Sequence, residues 1–381
     1  MRHFLCLTIF FLALFPMKGM AQEALQGRVV DAETGEALPY VSIFAGEGKG
    51  TLTNIEGDFK LTAEEGDVLI FSFIGYEKLR IKADKLPAVV RLKPYSTFMQ
   101  EVTVHAKTYD EVLKQTIENL KQDYKKHDDW ARKYFFRTLM EKAEGTYIAE
   151  AFVKAYSVVN LREAKITSGL QGYDKNADKG KLNVNASNIH RLIEVGPMTV
   201  KSTFWGSATK PLQHYSYTRE YYDAKFQHLQ GEDGKLIYRI DFSLKEKYQS
   251  EFSLRKPYIT GTAYVDAESC RLLRFDGSCN NYYMNMGLVP YATSIEFQLE
   301  YDYRNGVASV SHLAVCGSNN FLIYYGLLFA IEGDKRQKGK LMASGPNIVT
   351  ALTEAGYDKR LWSKYDIVKR TKEEERVAFG K

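Results

Sequence analysis

Long apolar runs are missing once the first twenty residues are past. No later segment approaches 18 uninterrupted apolar residues, the length that signals a membrane-spanning helix. The most apolar stretch, 321–331, has the length of a strand and carries two tyrosines. A large charge excess is missing too. The formal net charge is +5, and it falls to +3 if Arg2 and Lys18 are removed with a leader. That is too mild and too evenly scattered to argue for nucleic acid. Cysteine is scarce: of four, Cys6 sits in the N-terminal apolar run, leaving Cys270, Cys279 and Cys316. An odd count guarantees at least one thiol without an intramolecular partner. If an extended strand runs between Cys270 and Cys279, nine steps of roughly 3.3 Å separate them by about 30 Å. A disulfide needs Cα atoms within about 7 Å, so only a sharp turn at Asp276-Gly277 would allow this pair.

The familiar catalytic and metal signatures are absent as well. The mature histidines (His105, His127, His190, His214, His228 and His312) form neither His-Glu-x-x-His nor His-x-x-Glu. His190 and Glu194 could share a helical face, and His214 could approach His228 across a hairpin, but no third ligand can be named. There is no Gly-x-Ser-x-Gly, and no cysteine stands where its pKa would obviously fall. No catalytic residue, metal ligand or cofactor site is therefore assigned. Paired carboxylates brought together by folding stay open, because their spacing in sequence is unconstrained.

What is present is β-structure. The first twenty-one residues read as a secretory signal peptide: Arg2 and His3, an apolar run over 4–15, and Gly19 and Ala21 at the −3 and −1 positions. Cleavage falls between Ala21 and Gln22, and Cys6 lies too far upstream to carry a lipid. Seven short strands punctuated by glycine turns then fill about 70 residues, the pattern of a small β-sandwich. In VLIFSFIGY both alternating rows are largely apolar, as in a strand buried on both sides. Within GKGTLTNIEGDFKL (48–61), Gly48-Lys49-Gly50 lacks the third glycine and following helix of a phosphate loop. Asn54, Glu56, Asp58 and Glu65 mimic the spacing of a calcium loop, but Phe59 occupies the position that needs glycine. A hairpin turn Asn54-Ile55-Glu56-Gly57 is the expectation, with Gly57 at positive φ.

QEVTVHA (100–106) reads as a further strand or an extended linker. Leu113, Ile117, Leu120 and Tyr124 mark a helix in TYDEVLKQTIENLKQDYKK (108–126), capped by Thr108 with Glu111 completing a capping box. From Tyr134 the period returns to two. Leu236, Tyr238, Ile240, Phe242 and Leu244 share one face. Ile295, Phe297, Leu299, Tyr301 and Tyr303 do likewise, opposite Ser294, Glu296, Gln298, Glu300 and Asp302. One wet face implies antiparallel sheet. The polar stretch 161–203 reads as an excursion or lid, KLMASGPNIVTAL (340–352) as holding a short helix, and KRTKEEERVAFGK as a charged surface tail. Twenty-six tyrosines suit such sheets and surfaces that grip sugars or peptides.

GRVVDAETGEALPYVSIFAGEGKGTLTNIEGDFKL followed by LIFSFIGY resembles the carboxypeptidase regulatory-like domain. The Gly35, Gly57 and Gly75 turns define the module. The resemblance implies a seven-stranded transthyretin-like sandwich that is not itself catalytic, of a kind found at the N-termini of exported proteins and TonB-dependent receptors. QEVTVHAK resembles the linker that follows it. The remainder (VLKQTIENLKQDY, YFFRTLMEKAEGTYIAEAFVKAY, GTAYVDAESCRLL, YDKRLWSKYDIV) resembles exported proteins of unknown function carrying the same module. GTAYVDAESCRLL is also similar to strands of lipoprotein-carrier-like half-barrels.

The expected architecture is mainly β. It comprises a signal peptide (1–21), a sandwich (22–95), a linker strand and helix (96–130), an antiparallel sheet or half-barrel with a few helices (131–370), and a charged tail (371–381). The expected function is a non-enzymatic binding or accessory protein of the envelope, periplasmic or outer-membrane-associated. Its partner would be an envelope protein or an apolar ligand. A hydrolase acting on peptide or glycan and a periplasmic lipid or lipoprotein carrier are the alternatives. A closed apolar groove along the two apolar rows would mark the carrier, and two carboxylates in a cleft the hydrolase.

Overall fold

A computed structural model of the protein describes residues 23–46, 49–64, 66–97, 107–125, 130–157, 161–184, 201–202, 206–207, 210–231, 233–252, 256–285, 290–304, 307–319, 322–331, 337–338, 342, 344–345 and 347–380. Ala21, Gln22, the 100–106 segment, His105, His127, His190 and Glu194 lie outside the described residues.

The N-terminal module holds seven strands: β1 (Glu23–Asp31), β2 (Ser42–Ala45), β3 (Gly50–Leu52), β4 (Asp58–Ala63), β5 (Val68–Ser72), β6 (Leu79–Lys82) and β7 (Val89–Leu92). They form a three-stranded sheet in the order β4-β1-β7 and a four-stranded sheet in the order β3-β2-β5-β6. Val29, Ile43, Phe59, Leu61, Phe71 and Leu92 fill the space between them. The turn at 54–57 therefore differs from the expected hairpin, because β3 and β4 belong to opposite sheets and the turn carries the chain across the sandwich. Asn54 organises it: its Oδ1 accepts from the backbone N–H groups of Glu56 and Asp58 at 3.0 and 2.9 Å. Gly57 (φ +78°) has no alternative, since a Cβ there would lie 2.7 Å from the Val29 carbonyl oxygen. Strand β5 also departs from expectation. Leu69 and Phe71 are buried, while Val68 is 41% exposed.

Strand β8 (Ser96–Thr97) leads towards α1 (Tyr109–Lys125). The Thr108 backbone N–H donates to Glu111 Oε2 at 2.7 Å, closing the predicted capping box. Then come β9 (Trp130–Lys142), β10 (Gly145–Ser157) and β11 (Leu161–Tyr173). The expected lid thus begins as a 13-residue strand. A two-stranded ribbon, β12 (Lys201–Ser202) and β13 (Gly206–Ser207), follows, and then α2 (Tyr215–Tyr221). Next are β14 (Tyr222–Gln230), β15 (Leu236–Leu244), α3 (Glu246–Phe252), β16 (Tyr258–Asp266), β17 (Leu272–Asn285) and β18 (Pro290–Arg304). The chain ends with β19 (Val307–Asn319), β20 (Leu322–Ala330), β21 (Gln337–Lys338), α4 (Ile348–Ala355), α5 (Lys359–Lys364) and α6 (Lys372–Ala378). One twelve-stranded sheet runs β11-β10-β9-β20-β19-β18-β17-β16-β15-β14-β8, with β21 also on β9. Its inter-strand pairings are antiparallel.

Period-two alternation sends each row of this sheet to one face. The inner face carries both predicted apolar rows, and Val112, Leu113, Ile117 and Leu120 of α1 pack into the same core. Asn119 Nδ2 donates to the Ser269 and Cys270 carbonyls at 2.9 and 3.0 Å, fixing the helix to the β16–β17 turn. Cys270 lies in that turn and Cys279 pairs with Ile259 well along β17; both are free, buried thiols.

Candidate functional site

The outer face was expected to be wet. Ser294 and Glu296 are indeed exposed, but around Glu300, His312 and the phenylalanines that follow them the face is covered by the sandwich and by the C-terminal segment. Cross-strand register lines up Tyr264, Arg274, Glu300, His312, Phe329, Phe135 and Phe152 as one row on successive strands. The sandwich sits on the polar half of that row. Arg274 donates to the Ile74 carbonyl at 3.2 Å and stacks over the Phe73 ring at 4.0 Å. Tyr40 approaches the His312 ring, with centroids 6.2 Å apart. Gly75 (φ +93°) faces Tyr264, whose ring would stand 3.3 Å from a Cβ at that position. Gly35 (φ +75°) turns in open space. The apolar half packs Phe135, Phe152 and Phe329 against Leu52 of the sandwich and Trp362, Tyr365 and Val368 of the C-terminal segment.

Beneath the sandwich lies a buried polar group. Burial, the dominant effect, pushes the Glu300 carboxyl up to about 8 against the attraction of Arg274, with Asp276 and Asp302 adding to the rise. Burial and then Arg274 push His312 down to about 3. Both are thus neutral at pH 7. Gln298 Nε2 lies 3.1 Å from His312 Nε2, so when it donates there the imidazole proton sits on Nδ1, facing Glu300 Oε2 at 3.7 Å. That separation is too long for a hydrogen bond. Arg274 is held by Asp276 through contacts of 2.8 and 2.6 Å.

A second group locks down the C-terminal segment. Glu150, fully buried, accepts from Arg137 Nε at 2.6 Å and from Arg370 through both carboxylate oxygens. Burial alone would raise Glu150, but the two guanidinium groups outweigh it and hold the carboxyl low. Arg137 also donates to the Val368 carbonyl at 2.6 Å and to Glu374 at 3.2 Å. Asp366 accepts from the Thr62 backbone N–H and hydroxyl at 3.0 and 2.7 Å, and Lys369 meets Asp58 at 3.2 Å. The expected charged tail is therefore a strap from sheet to sandwich. It ends in α6, which has its own capping box between Thr371 and Glu374.

Two clefts open along this seam, on either side of a ridge formed by Tyr40 and Ile55. The larger, about 430 Å³, is lined by Thr260, Asp276, Ser278, Glu296, Gln298 and Cys316 among others. The smaller, about 210 Å³, has an apolar floor of Leu139, Tyr325 and Leu327, and the carboxylates of Glu56, Glu141, Glu373 and Glu374 around it. Burial first, then the neighbouring Glu373, pushes Glu141 up. Glu373 itself is held down by a bidentate contact from Arg376 at 2.8 and 2.5 Å.

The sequence-derived candidates fare unevenly. His214 is exposed beside Tyr217, whereas His228 lies against Phe226 and Tyr238, so the described contacts do not bring the two together. His312 is fully buried. Asn54 and Glu56 serve the inter-sheet turn and the smaller cleft, and among the described residues no group of three or more His, Cys, Asp or Glu is placed to hold a metal. Sequence reasoning missed Glu141, Glu150, Glu300 and Arg370. Glu300 stands in a polar row that reads as wet, Glu141 and Glu150 in mixed strands and Arg370 in a stretch that reads as a tail; Glu150 and Glu300 are buried, and Glu141 and Arg370 half-buried.

Residues 25–104 match the CarboxypepD_reg-like domain family. The chain is also 32% identical, over 85 residues, to the TonB-dependent receptor SusC of Bacteroides thetaiotaomicron. That similarity covers 22% of this chain and 8% of the receptor, a small fraction of its length. Among solved structures, a LolA superfamily protein from Nitrosomonas europaea aligns with 62% of this chain and 96% of its own, at 8% identity and a TM-score of 0.23. A domain assigned as an outer membrane lipoprotein-sorting protein from Vibrio parahaemolyticus aligns with 60% and 94%, at 14% identity and a TM-score of 0.23. No helix among the described residues is long and apolar enough to cross a membrane.

Proposed function

We propose that the chain is a non-enzymatic, exported binding or accessory protein of the bacterial envelope, with the sandwich as a docking module and its seam with the large sheet as the partner surface. The position of the two clefts supports this most. Both flank the Tyr40–Ile55 ridge, and both are walled by sandwich on one side and sheet on the other. Concave sites between packed units are where ligands most often bind. The regulatory-like module and its likeness to part of an envelope receptor support the exported location. The inner apolar rows, which a lipid carrier would use, share one buried core with α1.

The test is capture from the native envelope by the tagged full chain, with lipid extraction of the same sample. Ile55 is 47% exposed, so Ile55→Arg blocks both clefts without disturbing the core. A protein recovered by the wild type and lost with Ile55→Arg, at unchanged melting temperature, is the expected result. Recovery of neither protein nor lipid, or capture indifferent to Ile55, contradicts the reading.

One observation favours a hydrolase as the second reading. Glu141 and Glu373 line one cleft, and their surroundings push their acidities apart, as in an acid/base pair. Cleavage of envelope peptides or glycans, seen by mass spectrometry and abolished by Glu141→Gln, would establish it in place of the binding role.

A further inference from the structure

Resting on the binding reading above, we propose that the smaller cleft takes a basic, partly apolar peptide segment, its cationic side chain reaching Glu141. Four carboxylates face this cleft, and two already have partners: Glu373 is held by Arg376 and Glu374 by Arg137. Glu141 is half-buried beside the apolar floor and makes no hydrogen bond or ion pair among the described residues. Glu56, at the rim, is exposed. Among the described residues, the one cationic side chain lining the cleft, Arg137, is consumed by Glu150, Glu374 and the Val368 carbonyl. Arg376 attracts Glu141 from a distance but is held by Glu373, so no cation touches this partly desolvated carboxylate, and a ligand cation is what the site lacks.

Two further features specify a peptide. The floor of Leu139, Tyr325 and Leu327 gives apolar side chains somewhere to pack beside the charge. In the cleft wall, Asn54 uses its Oδ1 within the turn, while its Nδ2 is buried with no acceptor. A peptide carbonyl is the group that completes it, and an unmet buried donor is expensive enough to reward one that does.

Fluorescence anisotropy on the full chain tests this with labelled twelve-residue peptides of alternating Leu and Lys, Leu and Glu, or Leu and Ser. The Leu–Lys peptide alone should bind. Glu141→Gln should weaken it about tenfold, the scale of one partly desolvated charge contact. Ile55→Arg should abolish binding, and Glu354→Gln, on the exposed side of α4 and away from both clefts, should leave it unchanged. Glu141→Gln should melt no lower than wild type, which separates lost binding from lost folding. Equal binding of the acidic or neutral peptide, or binding indifferent to Glu141, overturns the assignment, as does cleavage of the bound peptide. If Ile55→Arg abolishes envelope capture while no basic peptide binds, the cationic assignment alone falls. If capture is also indifferent to Ile55, the binding reading falls with it.

Discussion

The two faces of the twelve-stranded sheet are built from the same alternation but settle their polar groups by different means. On the inner face the problem hardly arises: Tyr238, Ile240, Phe242, Leu299 and Tyr301 meet the apolar side of α1, and burial itself is the driving force. The outer face carries charge and is nevertheless covered over the stretch from Arg274 to Phe152, while Ser294 and Glu296 stay exposed. It tolerates covering only because each buried charge is paired, as Glu150 is by two arginines, or neutral, as Glu300 and His312 are. The inner face is therefore a core. The outer face is an interface, with clefts left wherever the two layers fail to meet.

The largest expected effect breaks the paired part of that interface. Glu150→Ala leaves Arg137 and Arg370 without their carboxylate, one of them fully enclosed, and should cost about 3–5 kcal/mol in denaturant unfolding. It should also release the strap, seen as new proteolytic cleavage over 366–380. An exposed pair such as Arg376 with Glu373, cut by Glu373→Ala, should cost well under about 1 kcal/mol.

A smaller effect sharpens the neutral part. Glu300 has its folded pKa raised to about 8 from an ordinary 4.5, so the native state holds the extra proton between those values. Its contribution to stability is fully present below the unfolded value and is lost as pH rises through 8. His312, lowered from 6.5 to about 3, works oppositely: stability is lost as pH falls below 6.5. Between pH 6.5 and 8 only the Glu300 effect remains of these two. Unfolding free energy measured across that window should decline for the wild type and flatten in Glu300→Gln. A decline that survives the substitution would assign it to another group.

Much of this architecture was legible in the sequence, and the part that was not has one physical origin. The seven strands, the Thr108–Glu111 capping box and the two apolar rows are local patterns, and turn chemistry and periodicity report them directly. Glu300 sits in a clean polar row and Glu150 in a mixed strand, and nothing in either neighbourhood says that a second layer lies on top. The strap reads as a tail because Arg370 and Glu374 find partners more than 200 residues away. Period two distinguishes one face from the other, but not a solvated face from a docked one. The clefts are products of that docking.

Smaller again is the effect of crowding where the layers touch. Gly75→Ala forces φ +93° on alanine and drives its Cβ towards the Tyr264 ring, which should cost about 1–3 kcal/mol. Gly35→Ala, at positive φ but in open space, should cost less, as thermal melts of the two variants would register. The least effect concerns the thiols. Cys270 and Cys279 are buried in the inner core and should resist alkylation in the native state, while half-buried Cys316 lines the larger cleft and should react slowly. Equal labelling of all three would mean that the inner face is accessible.

Hydrogen–deuterium exchange of the full chain, with and without the alternating Leu–Lys peptide, tests the division between core and interface most directly. Slowed exchange over residues 54–57, 139–142 and 371–375, with helix α1 and strand β15 unchanged, is the expected result. Protection that falls instead on α1 and β15 would put the ligand on the inner face and contradict the account.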